Sequence, residues 1–318
     1  MNMIVVRSFP PRLPGERPWA AAIGVFDGVH RGHLAILNET LRRARAIGGR
    51  AAVITFDRHP LATLAPHVAP RCLMTLDQRL ARFAALGFGA AVVLPFNRLV
   101  AAMTAPAFVQ RVLAGGLHAT EIVVGWDFHF GRGGTGDGAL MTEMGDCLGY
   151  RSTIMAPVLD HGEPVSSTRI RKLVALGRVA EAARLLGRPL ALEGPVVRGR
   201  RLARRLGFPT VNVRPANELL PRFGVYAVRM SIGRGRAIPG VANIGLRPSV
   251  KPPTRSPLLE VHGLVTPPPA PPGRRCSVEF LAFLRPEQAF PDLEALAAAI
   301  RKDTAAARRY LTGRRHGR

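Results

Sequence analysis

The sequence predicts two domains: an α/β domain with a Rossmann-like parallel sheet, then a small antiparallel β-barrel with a C-terminal helix. A length of 318 residues favours two domains. In the first half, apolar runs alternate with amphipathic stretches, which is the rhythm of a doubly wound sheet. After Gly187, short apolar runs follow one another without helical stretches between them, as in a small barrel. We therefore expect domains at residues 1–187 and 188–318.

Each element of the first domain follows from an apolar or amphipathic run bounded by turn residues. Strands are predicted over residues 20–25, 51–56, 90–94 and 121–124. Helices are predicted over residues 33–47, 76–86, 106–113 and 139–148, with two more over 167–176 and 180–186. Gly48 and Gly87 mark the ends of the first two helices, because glycine commonly follows the last helical residue.

The second domain shows short apolar runs separated by Gly, Pro and Arg. Strands are predicted over residues 191–197, 225–231, 238–243, 258–261 and 277–284. A final helix is predicted over residues 293–311. Between Lys251 and Gly273 the chain is rich in proline, which predicts an irregular segment.

The composition limits the class of protein and its partners. The net charge of +24 would suit a polyanion such as nucleic acid. However, only three of the 45 basic residues are lysine, so the charge reflects a general bias toward arginine. Only 6% of residues are aromatic, which leaves few rings for stacking on bases. We therefore expect a phosphorylated small molecule rather than nucleic acid; a steep salt dependence of polynucleotide binding would favour the nucleic-acid alternative. Three scattered cysteines, no membrane-spanning apolar stretch and no signal peptide predict a soluble, cytoplasmic protein without a membrane partner. The sequence predicts no oligomeric state.

The stretch GVFDGVHRGH, residues 24–33, places two histidines and three glycines between an apolar run and a helix. In a parallel sheet, ligands bind where strands end and helices begin, and a helix N-terminus suits phosphate. His30 and His33 can donate hydrogen bonds to phosphate oxygens as charge develops on a departing pyrophosphate. These residues indicate a nucleoside triphosphate site for nucleotidyl transfer. A metal site and ordinary surface histidines stay open as alternatives.

A second polar stretch, VSSTRIRK at residues 165–172, opens a predicted helix. Its hydroxyl groups can cap the helix, and Arg169 and Arg171 lie on the first turns, where a triphosphate can be gripped. The alternative is an ordinary helix cap with solvated arginines.

Eight segments along nearly the whole chain read GVFDGVHRGH, VITFDRHP, VGWDFHFGRGGTGD, VSSTRIR, LGFPTVN, GVYAV, GVANIGLRPS and VEFLAFLRPEQAF. In this order they resemble the segments of bifunctional prokaryotic FAD synthetases, which join a riboflavin kinase to an FMN adenylyltransferase. The resemblance implies a nucleotidyltransferase-fold domain that transfers AMP from ATP to FMN, giving FAD and pyrophosphate. It also implies a barrel that phosphorylates riboflavin with ATP. Aminoacyl-tRNA synthetases share the HxGH signature, but SSTRIR stands here in place of their lysine-rich loop.

The resemblance also implies roles for individual residues of the first domain. His30 and His33 would contact the ATP phosphates as catalytic residues. The residues that would shape the nucleotide pocket or hold the phosphates from the other side are Gly24, Phe26, Asp27, Gly32, Ser167, Thr168 and Arg171. Phe56 and Phe130 would lie against the flavin ring, with Asp127 as a polar neighbour; the alternative for both aromatic residues is a place in the core.

In the second domain the resemblance implies a kinase site. Thr210 and Asn212, in LGFPTVN, would support Mg²⁺ and the ATP phosphates. Glu260, in LLEVHG, matches the catalytic carboxylate of the family; without that match it would be read as a solvated strand residue. Both reactions would need Mg²⁺ to neutralise ATP.

The sequence departs from the family pattern at several positions. Val25 and Arg58 stand where an asparagine and a proline are usual, and Ala203 and Ser249 where a glycine and a threonine are usual. The segment after Glu260 reads GLVTPPPAPPGRRC instead of an acidic, LYG-containing turn. A second interpretation therefore stays open: an FMN adenylyltransferase alone, whose degenerate barrel is a flavin-binding or regulatory module.

Overall fold

The computed structural model describes residues 3–15, 17–199, 207–248 and 255–313. The chain divides into two compact units, Met1–Ser167 and Thr168–Arg318. The functional boundary expected at residue 187 stays a prediction.

The first unit is built on a parallel sheet of six strands in the order β1-β4-β3-β2-β5-β6. All neighbouring strands pair in parallel. The strands are β1 Ile4–Val6, β2 Trp19–Ile23, β3 Arg50–Phe56, β4 Ala90–Leu94, β5 Ala119–Gly125 and β6 Arg151–Met155. The four central strands confirm the predicted parallel sheet, whereas the two edge strands β1 and β6 were not predicted.

The central strands are apolar throughout because both faces of the sheet are buried. Trp19, Ala21 and Ile23 of β2 pack into one core cluster, and the alternate residues Ala20 and Ala22 pack into another. The helices that follow in this unit are α1 Arg31–Ala46, α2 Leu61–Leu64, α3 Leu76–Leu86, α4 Arg98–Ala101, α5 Ala105–Phe108 and α6 Gly138–Leu148.

One predicted helix of this unit is wrong in extent. Residues 106–113 were expected to form a single α-helix, but α5 passes into a π-helical segment at Val109–Leu117. A short hairpin, β7 Leu159–Asp160 and β8 Glu163–Pro164, then precedes α7 Ser167–Ala175.

The second unit is a closed antiparallel barrel with the strand order β10-β13-β12-β11-β14-β9. Its strands are β9 Leu190–Val197, β10 Thr210–Val213, β11 Gly224–Ile232, β12 Ile238–Pro248, β13 Arg255–Gly263 and β14 Arg275–Pro286. The predicted barrel is therefore confirmed, with β10 as a strand that was not predicted. The proline-rich segment is irregular only in part, because residues 255–263 form β13 and residues 264–274 form the loop.

Two helices accompany the barrel: α8 Val179–Leu186 contacts β9 and β14, and α9 Leu293–Gly313 contacts β11, β12 and β14. Ala307 of α9 is buried against Val225, Ala227 and Val241, and the Tyr310 hydroxyl donates to a strand carbonyl at 3.0 Å. The C-terminal helix is thus part of the barrel's core. Among the described residues, no helix combines the length and the apolar character that crossing a membrane requires.

Candidate active sites

The turn that follows β2 has an unusual backbone. Phe26 and Val29 have positive φ angles of 51° and 40°, a region that residues with a Cβ rarely adopt, and Gly28 between them has φ 86°. Both side chains are buried, with exposed fractions of 1% and 0%. Burial of these two side chains holds the turn in one conformation, which is a common property of ligand-binding loops.

His30 ends this turn and caps α1. Its Nδ1 accepts a hydrogen bond from the His33 backbone N–H at 3.3 Å, so the proton of the neutral ring is on Nε2. The two imidazole rings stack with their centres 3.6 Å apart, and the His33 ring meets Phe26 edge-on at 5.3 Å. The pair therefore stands at the N-terminus of α1, which is the positive end of the helix dipole.

Two glycines of the motif are explained by close packing. A Cβ on Gly32 would lie 3.2 Å from the His30 ring, and a Cβ on Gly24 would lie 3.1 Å from the Phe26 ring. Both contacts are tighter than ordinary van der Waals distance. The glycines therefore let the two rings lie directly against the backbone.

Asp27 ties three parts of the first unit together. It is 2% exposed, and its two carboxylate oxygens accept from the backbone N–H groups of Leu73 and Met74 at 3.0 and 3.1 Å. Its own carbonyl accepts from the Ser167 hydroxyl at 2.8 Å, across 140 residues of sequence. The start of the second motif is thus bonded to the turn of the first, and Asp27 acts by shaping this turn.

The remaining residues of the second motif follow Ser167 on α7. Thr168 and Arg171 lie one and four residues further along this helix, and Arg171 is half-buried. The helical spacing of four residues puts Arg171 on the same side of α7 as Ser167.

The three residues predicted on the flavin side have different surroundings. Phe56 is 8% exposed and packs edge-on against Phe96, with ring centres 5.4 Å apart. Phe130 is 6% exposed and stacks on Phe128 at 5.5 Å. Both predicted aromatic residues belong to the core of the unit, whereas Asp127 is exposed. Phe56 ends β3, and Asp127 and Phe130 follow β5. These two strands are the neighbours of β2, so the three residues flank the histidine turn at the carboxyl ends of the strands.

Arg79 on α3 was not predicted as a site residue. Only 4% of it is exposed, and its guanidinium donates to the Val25 carbonyl at 2.8 Å, the Thr55 hydroxyl at 2.9 Å and the Phe56 carbonyl at 3.0 Å. It therefore joins the chain at the ends of β2 and β3. The sequence does carry a signal, because Arg79 stands four residues before the buried Phe83, on the apolar face of the helix.

Replacing Arg79 by methionine is expected to lower the free energy of unfolding by about 3 kcal/mol, because three hydrogen bonds from a charged group are lost, two of them buried. Urea denaturation measures this change. Arg98 lies exposed on α4, and its replacement by methionine is the matched control with little expected effect. Equal unfolding free energies for the two variants would contradict the role of Arg79.

In the barrel, the three predicted kinase residues come together. Thr210 and Asn212 are two apart on β10 and so share a face, and Asn212 pairs directly with Glu260 on β13. Glu260 pairs on its other side with Asn243 on β12. Since directly paired residues point to the same face, Glu260 stands in a row between two amide side chains.

The surroundings of Asn212 fit a bound cation. Asn212 is 7% exposed, and its Oδ1 is buried with no hydrogen-bond partner in the part of the chain that the structure describes. A Cβ on Gly199 would lie 2.3 Å from the Asn212 amide, so a larger residue there would displace this side chain. An amide oxygen beside a threonine hydroxyl is an oxygen donor set that suits Mg²⁺, so these residues fit the metal that ATP-dependent kinases need.

The departures from the family pattern have separate consequences. Val25 is used through its backbone carbonyl, which a change of side chain leaves in place. Arg58 bends back onto Asp57, with its Nε 3.2 Å from the carboxylate. Ala203 and Ser249 lie outside the described residues.

Comparison with known proteins identifies the family. Residues 14–169 match the family model described as FAD synthetase, and residues 186–311 match the one described as riboflavin kinase. The bifunctional riboflavin kinase/FMN adenylyltransferase of Pseudomonas fluorescens is 40% identical over 96% of this chain and 97% of its own length. This chain belongs to that family.

Other known proteins are similar to this chain over comparable lengths. The Escherichia coli K12 protein is 38% identical over 91% of each chain. A solved structure titled as a macrolide-efflux protein from Streptococcus pneumoniae is 26% identical, with a TM-score of 0.85 over 96% of this chain and 98% of its own.

The comparisons also decide between the two interpretations of the barrel. The riboflavin kinase match runs through the proline-rich segment that follows Glu260, and the relatives carry both activities in their names. The alternative of an adenylyltransferase with a degenerate barrel is therefore not supported.

Proposed function

We propose that this chain makes FAD in two steps, first phosphorylating riboflavin to FMN and then transferring AMP from a second ATP to FMN. The observation that carries the proposal is the presence of both family segments in one chain. The bond from Ser167 to Asp27 and the pairing of Asn212 with Glu260 support it. The substrates are therefore ATP, riboflavin and FMN, and the products are ADP, pyrophosphate and FAD.

In the adenylyl transfer, a phosphate oxygen of FMN attacks the α-phosphorus of ATP, and the bond to pyrophosphate breaks. The attacking oxygen is already anionic at neutral pH, so the step needs positioning and charge stabilisation rather than a base. We assign the phosphates to the N-terminus of α1, with His30 donating through Nε2–H and His33 beside it. Ser167, Thr168 and Arg171 would hold the phosphates from α7.

The flavin of FMN would lie beside this turn, at the ends of β3 and β5. Phe56 and Phe130 would supply the apolar wall and Asp127 a polar contact. Because both rings are mostly buried, they can offer an edge rather than a face to the flavin. The rigid turn of Gly24, Phe26, Asp27 and Gly32 would shape the nucleotide pocket.

In the kinase step, the attacking group is a neutral primary hydroxyl of riboflavin, which benefits from a base. Glu260 would accept the proton of this hydroxyl as its oxygen attacks the γ-phosphorus and ADP leaves. Thr210 and Asn212 would hold Mg²⁺ and the phosphates. When bound, Mg²⁺ would neutralise charge on the ATP phosphates.

The same proposal covers location and partners. ATP and flavins are small cytoplasmic metabolites, so we expect the chain to act in the cytoplasm on these molecules and not on nucleic acid or membranes.

An end-point assay tests the function. The purified chain is given ATP and Mg²⁺ with riboflavin in one tube and FMN in another, and the flavins are separated by chromatography. FAD is expected in both tubes, and none when ATP is omitted. FAD in the FMN tube but not in the riboflavin tube would contradict the kinase function. The absence of FAD from both tubes would contradict the whole proposal.

A further inference from the structure

His262 makes two contacts with the residues that lead into β10. Its Nδ1 lies 3.0 Å from the Pro209 carbonyl oxygen, and its ring meets Phe208 edge-on, with centres 5.4 Å apart at 82°. Pro209 directly precedes Thr210, and Thr210 is the residue that pairs with His262 across β10 and β13. His262 also stands two residues after Glu260 on the same strand, and so on the same face.

The chemistry of the first contact fixes the proton on the imidazole. A carbonyl oxygen only accepts, so Nδ1 of His262 is the donor and carries the hydrogen. This hydrogen is present both in the neutral Nδ1–H tautomer and in the charged ring. The bond to Pro209 therefore does not depend on the charge of His262.

The bond acts on Thr210 through the peptide plane. The Pro209 carbonyl and the Thr210 N–H belong to one planar unit, so holding the oxygen also sets the direction in which Thr210 enters β10. Gly207, with φ 84°, makes the turn just before this segment. Thr210 and Asn212 then follow on the face that holds Glu260.

We propose that His262 is a positioning residue for the riboflavin kinase reaction, which it serves by orienting the Pro209–Thr210 peptide. The inference rests on the proposed role of Thr210 in binding ATP. His262 itself needs no contact with substrate. Because it acts through Thr210, its loss should weaken ATP binding in the kinase reaction and leave the adenylyl transfer unchanged.

A matched pair of variants separates the hydrogen bond from the ring contact. His262→Asn keeps a donor at the position of Nδ1 and loses the ring, whereas His262→Phe keeps the ring against Phe208 and loses the donor. We expect His262→Phe to raise the KM for ATP in FMN formation about 3- to 10-fold, the value of one hydrogen bond. His262→Asn should stay near the parent. FAD formation from FMN is the internal control for folding.

The outcomes are distinct. Parent-like kinetics for His262→Phe, or equal impairment of both variants, would overturn the positioning role. If both variants lose both activities, ¹⁵N NMR of the histidine side chains in the parent decides, because the proposal requires protonated Nδ1 in the neutral ring of His262 and a proton on Nε2 alone would refute it. A parent that makes no FMN refutes the kinase function itself, and the role of His262 falls with it.

Discussion

Replacing Glu260 by glutamine is expected to lower the rate of FMN formation from riboflavin by about 10²- to 10⁴-fold, the usual contribution of a general base. Glutamine has the same shape but cannot accept the proton of the riboflavin hydroxyl. The neighbours of Glu260 in its row are two neutral amides, Asn212 and Asn243, and neither can replace it as a base. The measurement is kcat for FMN formation at saturating ATP.

Two controls accompany this prediction. FAD formation from FMN should be unchanged in Glu260→Gln, because that step starts from an oxygen that is already anionic and needs no base. Glu279→Gln on β14 removes a half-buried barrel carboxylate that pairs with Arg229, and it should leave both activities intact. A Glu260→Gln variant that makes FMN at the parent rate would remove Glu260 from the mechanism.

The sequence was sufficient for elements whose pattern is local. The central strands of the first unit are buried on both faces, so each appears as an unbroken apolar run. The edge strand Arg151–Met155 has no buried residue, and its polar composition conceals it. The strand Thr210–Val213 is only four residues long and carries the polar side chains Thr210 and Asn212. It therefore lacks the apolar run by which the other strands were predicted.

Long-range contacts could not be derived from spacing. The bond from Ser167 to Asp27 and the row Asn212–Glu260–Asn243 depend on which strands and loops become neighbours. The family resemblance supplied the residues but not these contacts. Arg79 was missed for a related reason: a buried arginine is explained by the carbonyls it meets, and those lie on other elements.

Replacing His30 by asparagine is expected to lower FAD formation from FMN by about 10²- to 10³-fold while the fold is kept. Asparagine is among the best helix-capping residues, so it can accept the His33 N–H in place of Nδ1 and preserve the start of α1. What it cannot supply is the Nε2–H donor on the far side of the ring. Alanine would remove both the helix cap and the Nε2–H donor. The loss of the cap would lower the free energy of unfolding by about 1 kcal/mol, so an effect on activity could not be assigned to the donor alone.

The readouts are kcat for FAD formation, FMN formation from riboflavin as the internal control, and the urea midpoint of unfolding. A large loss of kcat with an unchanged midpoint would mean that the imidazole itself stabilises the departing pyrophosphate. A rate near that of the parent would contradict this assignment, since the backbone N–H groups at the start of α1 would then be sufficient for the phosphates. In that case the stacked pair of His30 and His33 would be a structural feature of the turn, and the donors to the transition state would be Ser167, Thr168 and Arg171 on α7.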